Sequence, residues 1–167
     1  HDWIAPKPSC LGVYVFHYAD GDQFIAPWLL THYKGNLRPA YWAIRKAFTD
    51  KDPINEIPVI DSFTLPDEAF ESGTWNPVTL SISDTEQDSL SVSFAYNQRT
   101  GSRKRRDQIT TLKHRGNLND GFEIQLPNED GGIKVYAMAK DAYSNLGIAT
   151  TSIRVIDEER KAQKYLV

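Results

Sequence analysis

GGIKVYAMAKDAYSNLGIATTSIRVI, residues 131–156, reads as two alternating strands around a turn, and its pattern decides the fold. Val135, Ala137 and Ala139 fall on one face of the first strand, with Lys134, Tyr136, Met138 and Lys140 on the other. After the turn, Ile148, Thr150, Ser152 and Arg154 alternate with Ala149, Thr151, Ile153 and Val155. Asp141, Ser144 and Asn145 are turn formers, and Gly147 permits a positive φ or a bulge where the second strand begins. A hairpin alone is marginal in water, so this one needs a second sheet over its apolar face.

The residues upstream supply it. From Pro58 onward, short strands recur at regular spacing with turn signals between them, the mark of a β-sandwich. The expected strands are 59–65, 76–83, 89–97, 108–113, 121–125, 133–140 and 148–156. The tail DEERKAQKYLV is charged and is either a short helix or frayed.

Residues 1–52 differ in kind. LGVYVFHY, residues 11–18, is apolar on both faces, as in strands of parallel sheets covered by helices. RPAYWAIRKAF, residues 38–48, is the one convincing helix, with Pro39 suited to its first turn. Ala40, Tyr41, Ile44, Ala47 and Phe48 make its apolar stripe, and Arg45 and Lys46 sit near the C-terminal end, where the dipole favours cations. TDKDPINEI, residues 49–57, is polar, carries a proline and marks the expected domain boundary.

Composition narrows the function classes. The 167 residues are 40% hydrophobic and 25% charged with net charge −3, a balance without a push toward nucleic acid or an anionic membrane. No apolar run approaches the roughly 20 residues that span a bilayer. The chain opens at His1 with no signal-peptide pattern, so we expect a processed or excised piece of something longer. Cys10 stands alone, which rules out an internal disulfide and leaves the redox compartment open.

KPSCLGVYVF at 7–16, APW at 26–28, the helix, TDKDPINEIPVID at 49–61 and the closing strands together resemble the C-terminal part of secreted bacterial glycoside hydrolase-like proteins. In these, a (β/α)8 barrel related to glycoside hydrolase family 2 precedes an immunoglobulin- or cadherin-like module. The resemblance implies a mainly β chain: an immunoglobulin-like antiparallel β-sandwich at 58–157, preceded at 1–52 by a strand and helix from the barrel's end and followed by the tail at 158–167. Residues 11–18 would be the eighth barrel strand. Barrel sites lie at the C-terminal ends of strands, here His17, Tyr18 and Asp20. Related sequences often place Trp where Tyr18 stands.

The resemblance also implies a secreted, periplasmic or cell-surface protein. The partners it implies are the remainder of the parent hydrolase and a polysaccharide, with no nucleic acid.

The chemistry that the residues offer is sparse. Asp20 and Asp22 stand two apart in a loop and read as turn formers rather than a glycosidase pair, so no catalytic residue is assigned. The four histidines show no metal spacing, and there is no GxSxG, P-loop or GxGxxG. Cys10 reads as a small buried hydrophobe rather than a nucleophile.

Asp84, Glu86 and Asp88 in one loop and Asp141 and Asn145 in another form a candidate calcium set, weighed against simple solvated turns. No other cofactor is expected. RTGSRKRR, residues 99–106, is a basic loop, solvated or directed at an acidic polysaccharide. Among the tryptophans, Trp28 and Trp75 join His17, Tyr18 and Asp20 as candidate glycan contacts, Trp75 being the best exposed.

The leading expectation is therefore non-catalytic support or glycan contact within a carbohydrate-active protein. The alternatives are an adhesion or protein-interaction module of a cell-surface protein and a small enzyme using His17, Asp20 and Asp22.

Overall fold

The computed structural model describes residues 30–31, 34–98 and 109–159. The 7–18 segment with Cys10, the candidates His17, Tyr18, Asp20 and Trp28, the basic run 99–106 and residues 160–167 lie outside the described residues.

Helix α1 runs Pro39–Thr49. Arg38 caps it in an extended conformation, and Pro39 fills the first turn, where its missing N–H costs nothing. Asp50 ends it in the left-handed region at φ 54°, its N–H returning to the Lys46 carbonyl. The expected apolar stripe is only half covered. Ala40, Tyr41 and Ile44 are half-buried, whereas Ala47 and Phe48 are exposed.

The strands are β1 Val59–Thr64, β2 Ala69–Glu71, β3 Trp75–Ser83, β4 Ser91–Gln98, β5 Thr110–Thr111, β6 His114–Asn117, β7 Gly121–Gln125, β8 Gly131–Lys140 and β9 Leu146–Ile156. They form a four-stranded sheet, β1-β3-β7-β6, and a five-stranded sheet, β2-β9-β8-β4-β5. Every pairing is antiparallel except that of β2 with β9.

The sheets share one core, so the arrangement is sandwich-like. Phe63, Val78, Phe122 and Ile124 from the first meet Phe94, Ile133, Val135, Ala137, Ile153 and Val155 from the second. Phe94 is its centre, with ring contacts to Phe63, Phe122 and His114 at 5.5 to 5.9 Å. The opposite face of β8 is buried too, because Tyr136 and Met138 pack with Ala95, Ile109 and Leu146 in a second cluster. Both faces of this strand being covered explains why its alternation is apolar against apolar through the middle.

Three details correct the sequence reading. Residues 108–113 do not make one strand: β5 is two residues long, and β6 follows in the other sheet. Strand β2 was not foreseen; it is three residues long, with only Phe70 buried, too short to show a period. The positive φ of the last turn falls on Ser144, at 67°, not on Gly147. Gly147 is needed for a close approach, since a Cβ there would run into the Pro58 carbonyl oxygen.

No helix among the described residues is long and apolar enough to cross a membrane.

Candidate functional site

The turn between β8 and β9 builds the most structured polar feature of the described residues. Asp141 Oδ1 accepts hydrogen bonds from the Tyr143 and Asn145 N–H groups, both at 2.8 Å, and the Asp141 N–H donates to the Asn145 carbonyl at 3.2 Å. This side-chain clamp favours a turn over strand continuation and aims Asn145 inward. Asn145 is 0% exposed and Asp141 3%.

Buried amides need partners, and Asn145 has them on every side. Its Oδ1 accepts from Trp42 Nε1 at 2.7 Å, and its Nδ2 donates to Asp141 Oδ2 at 2.7 Å and Asn55 Oδ1 at 2.9 Å. The indole nitrogen can only donate, which fixes the amide with its oxygen toward Trp42. Asn55, itself buried, passes the network on by donating to Asp88 Oδ2 at 2.6 Å, and Asp84 Oδ2 accepts from the Asp88 N–H at 2.6 Å. Beside it Glu86 Oε1 accepts from the Glu56 N–H at 3.1 Å, and Thr85 donates to Glu56 Oε2 at 2.8 Å.

Backbone bonds tie the segment before the sandwich to the same end. The Leu37 N–H donates to the Ser144 carbonyl, and the Leu146 N–H donates to the Leu37 carbonyl, both at 2.8 Å. The edge of β9 is thus taken by Leu37 at one end and by β2 at the other. Arg45 lies over the Trp42 ring at 5.0 Å, and burial lowers the pKa of Arg38 from its ordinary value.

Asp84, Asp88, Asp141 and Asn145, the calcium set expected from sequence, are therefore brought into one network with Asn55 as the bridge. Its donors do not suit a hard cation as they stand. Calcium takes six to eight oxygens, whereas the Asp141 oxygens and one each of Asp84 and Asp88 already face N–H groups. The Asn145 amide nitrogen lies between Asp141 Oδ2 and Asn55 Oδ1, while the Asp84 and Asp88 oxygens bond to other N–H groups. Asp84 Oδ1 is buried without a partner among the described residues, one oxygen where several are required. No group of three His, Cys, Asp or Glu among the described residues is arranged to hold a metal.

Trp75, the described member of the glycan set, opens β3 on the outer face of the four-stranded sheet. It is half-buried, and the Arg115 guanidinium lies 4.6 Å from its ring centroid. Arg115 Nε donates to Glu123 Oε2 at 2.6 Å, and this bond raises the arginine's pKa.

Sequence reasoning missed Asn55, hidden in a polar stretch taken as the domain boundary, and it did not single out Trp42. Nothing local marks either one. Their partner Asn145 lies 90 and 103 residues away.

No protein-family model matches the chain, and no curated protein matches it. Among solved structures, a nucleoside hydrolase-related hypothetical protein from Saccharophagus degradans, associated with carbohydrate metabolism, is 17% identical with a TM-score of 0.36. The match covers 61% of this chain and 26% of that one, so the chain spans about a quarter of its neighbour's length. The superoxide reductase (neelaredoxin) of Ignicoccus hospitalis is 16% identical with a TM-score of 0.35, over 71% of this chain and 92% of that one. At these scores neither neighbour carries a family or a function to this chain.

Proposed function

We propose that the chain is an immunoglobulin-like, non-catalytic module of a larger carbohydrate-active, glycoside hydrolase-like protein, in which it holds the segment that precedes it and contacts glycan. The strand orders support the fold part of this reading. In an immunoglobulin sandwich one sheet runs A-B-E-D and the other carries G, F and C; β1-β3-β7-β6 and β9-β8-β4 follow the same orders.

The observation that carries the support role is the bond from Trp42 to Asn145. Without α1 the Asn145 amide oxygen would lose its indole donor, a bond worth about 0.5 to 1.5 kcal/mol net. This end of the sandwich is complete only with α1 docked. This favours a module built onto its preceding segment over an independent adhesion module.

On this reading the parent is secreted, periplasmic or at the cell surface. The reading frame upstream tests it: a barrel with two carboxylates at its strand ends is expected, and tandem sandwich modules instead would make this an adhesion protein. The purified 167-residue chain is expected not to turn over aryl glycosides or glucans. Turnover abolished by Asp20→Ala would promote the small-enzyme alternative.

A further inference from the structure

We propose that the Asp52–Pro53 peptide bond is an acid-activated self-cleavage site, at which the chain becomes two pieces that stay together. The proposal stands on the connection between α1 and β1 and is independent of the carbohydrate reading.

An Asp–Pro pair occurs once in the 167 residues. It falls after Asp50 has ended α1 and before the buried Asn55 and Pro58 fix the start of the sandwich, in a stretch that belongs to no helix or strand. The Asp52 side chain is 76% exposed and Ile54 82%, so water and acid reach the bond. Lys46 bonds Asp52 through Oδ1, which leaves Oδ2 available.

The chemistry needs only groups already in place and water. A carboxylate oxygen of Asp52 attacks the residue's own main-chain carbonyl carbon, closing a cyclic anhydride as the bond to the Pro53 nitrogen breaks. Nucleophile and carbonyl belong to one residue, so the step has the advantage of an intramolecular reaction. The departing nitrogen takes a proton from the acidic solution and becomes the secondary amine of a new N-terminus. Proline makes it the better leaving group, because its tertiary amide nitrogen binds a proton more readily than an N–H amide does. Water then opens the anhydride, restoring the Asp52 side-chain carboxyl and leaving its main-chain carboxyl as the new C-terminus. On balance one peptide bond is broken and one water consumed.

The fold holds both sides of the cut. Upstream, Trp42 donates to Asn145 Oδ1, and Leu37 makes backbone bonds with Ser144 and Leu146. Downstream, Asn55 Oδ1 accepts from Asn145 Nδ2 at 2.9 Å. One buried side chain therefore grips both pieces, and scission frees the short exposed link without undocking α1.

The test incubates the purified 167-residue chain, with Asp52→Ala and Pro53→Ala alongside, at about pH 7 and at the lowest pH that keeps its native circular dichroism. Intact-mass measurement and gel filtration at neutral pH follow. Fragments 1–52 and 53–167 are expected, their masses summing to that of the chain plus one water. They should form at least about tenfold faster at the lower pH and at least about tenfold more slowly in either variant. The nicked protein should elute as the intact one does. Absence of these fragments, or their equal formation by Asp52→Ala, overturns the cleavage site. Fragments that separate on gel filtration overturn the claim that the pieces stay together. Under either result the proposed function keeps its own test in the upstream reading frame.

Discussion

Trp42 Nε1 donates a 2.7 Å hydrogen bond to Asn145 Oδ1 across 103 residues of sequence, joining the helix to the last turn of the sandwich. Asn145→Ala strips partners from the indole, Asp141 and Asn55 at once, so we expect a loss of about 3 kcal/mol in urea unfolding. Trp42→Phe removes the single bond with part of its packing and is expected to cost about 1 to 2 kcal/mol. In a double-mutant cycle the two should couple by more than about 0.5 kcal/mol. Additive effects would show that helix and turn are stabilised separately.

What was legible in the sequence follows from range. The helix announced itself through Pro39 and its spacing, and β1, β3, β4, β7, β8 and β9 through alternation or turn residues, all local signals. The HRGN of β6 is exposed throughout and carries no alternation, so only its pairing with β7 makes it a strand. At the site, Asp141, Ser144 and Asn145 were legible as a turn because a turn is made within five residues. That Asn145 would be buried, and that Asn55 and Trp42 would complete its bonds, depends on long-range packing.

Calcium is expected to leave the melting temperature unchanged. To bind, it would have to displace the Asn145 amide from Asp141 and Asn55, breaking bonds that also anchor Trp42. Thermal melts at rising calcium concentration check this. A concentration-dependent rise would follow mass action on the folded state and would mean that the loops rearrange to free their carboxylates.

Lys46 is hydrogen-bonded to Asp52, which raises its pKa above the ordinary 10.5. A raised folded-state value stabilises fully below the unfolded pKa and loses that contribution as pH rises through the folded one. The stability difference between wild type and Lys46→Met should therefore be constant from neutral pH to about pH 9 and shrink above 10.5. Both partners are exposed, at 55% and 76%, so the difference should be small and diminished by salt. A difference that grows with alkaline pH would contradict the assignment.

Phe94, in the five-stranded sheet, is 0% exposed and touches three rings of the facing four-stranded sheet. Phe94→Ala is expected to cost about 3 to 5 kcal/mol by chemical denaturation, because the surrounding strands cannot close the cavity. Phe94→Leu keeps most of the volume and should cost markedly less. Near-equal losses would mean that ring geometry rather than filled volume sets the stability of this core.

Gly147 and Gly132 lie on the same hairpin and should answer an alanine substitution with opposite signs. Neither has a positive φ, so chain entropy alone favours alanine at both by about 0.4 to 1 kcal/mol, through the unfolded state. At Gly132 a Cβ meets nothing within 4 Å, and Gly132→Ala should be neutral or stabilising. At Gly147 the new methyl runs into the backbone oxygen of Pro58, a buried residue at the mouth of β1, where no flexible side chain can yield. Overpacking of that kind costs about 1 to 3 kcal/mol, more than the entropic gain, so Gly147→Ala should destabilise. Thermal or urea unfolding of the two variants decides the matter. A Gly147→Ala protein as stable as its Gly132→Ala counterpart would show that the start of β1 moves aside, and that this approach of strand to strand is not what the glycine provides.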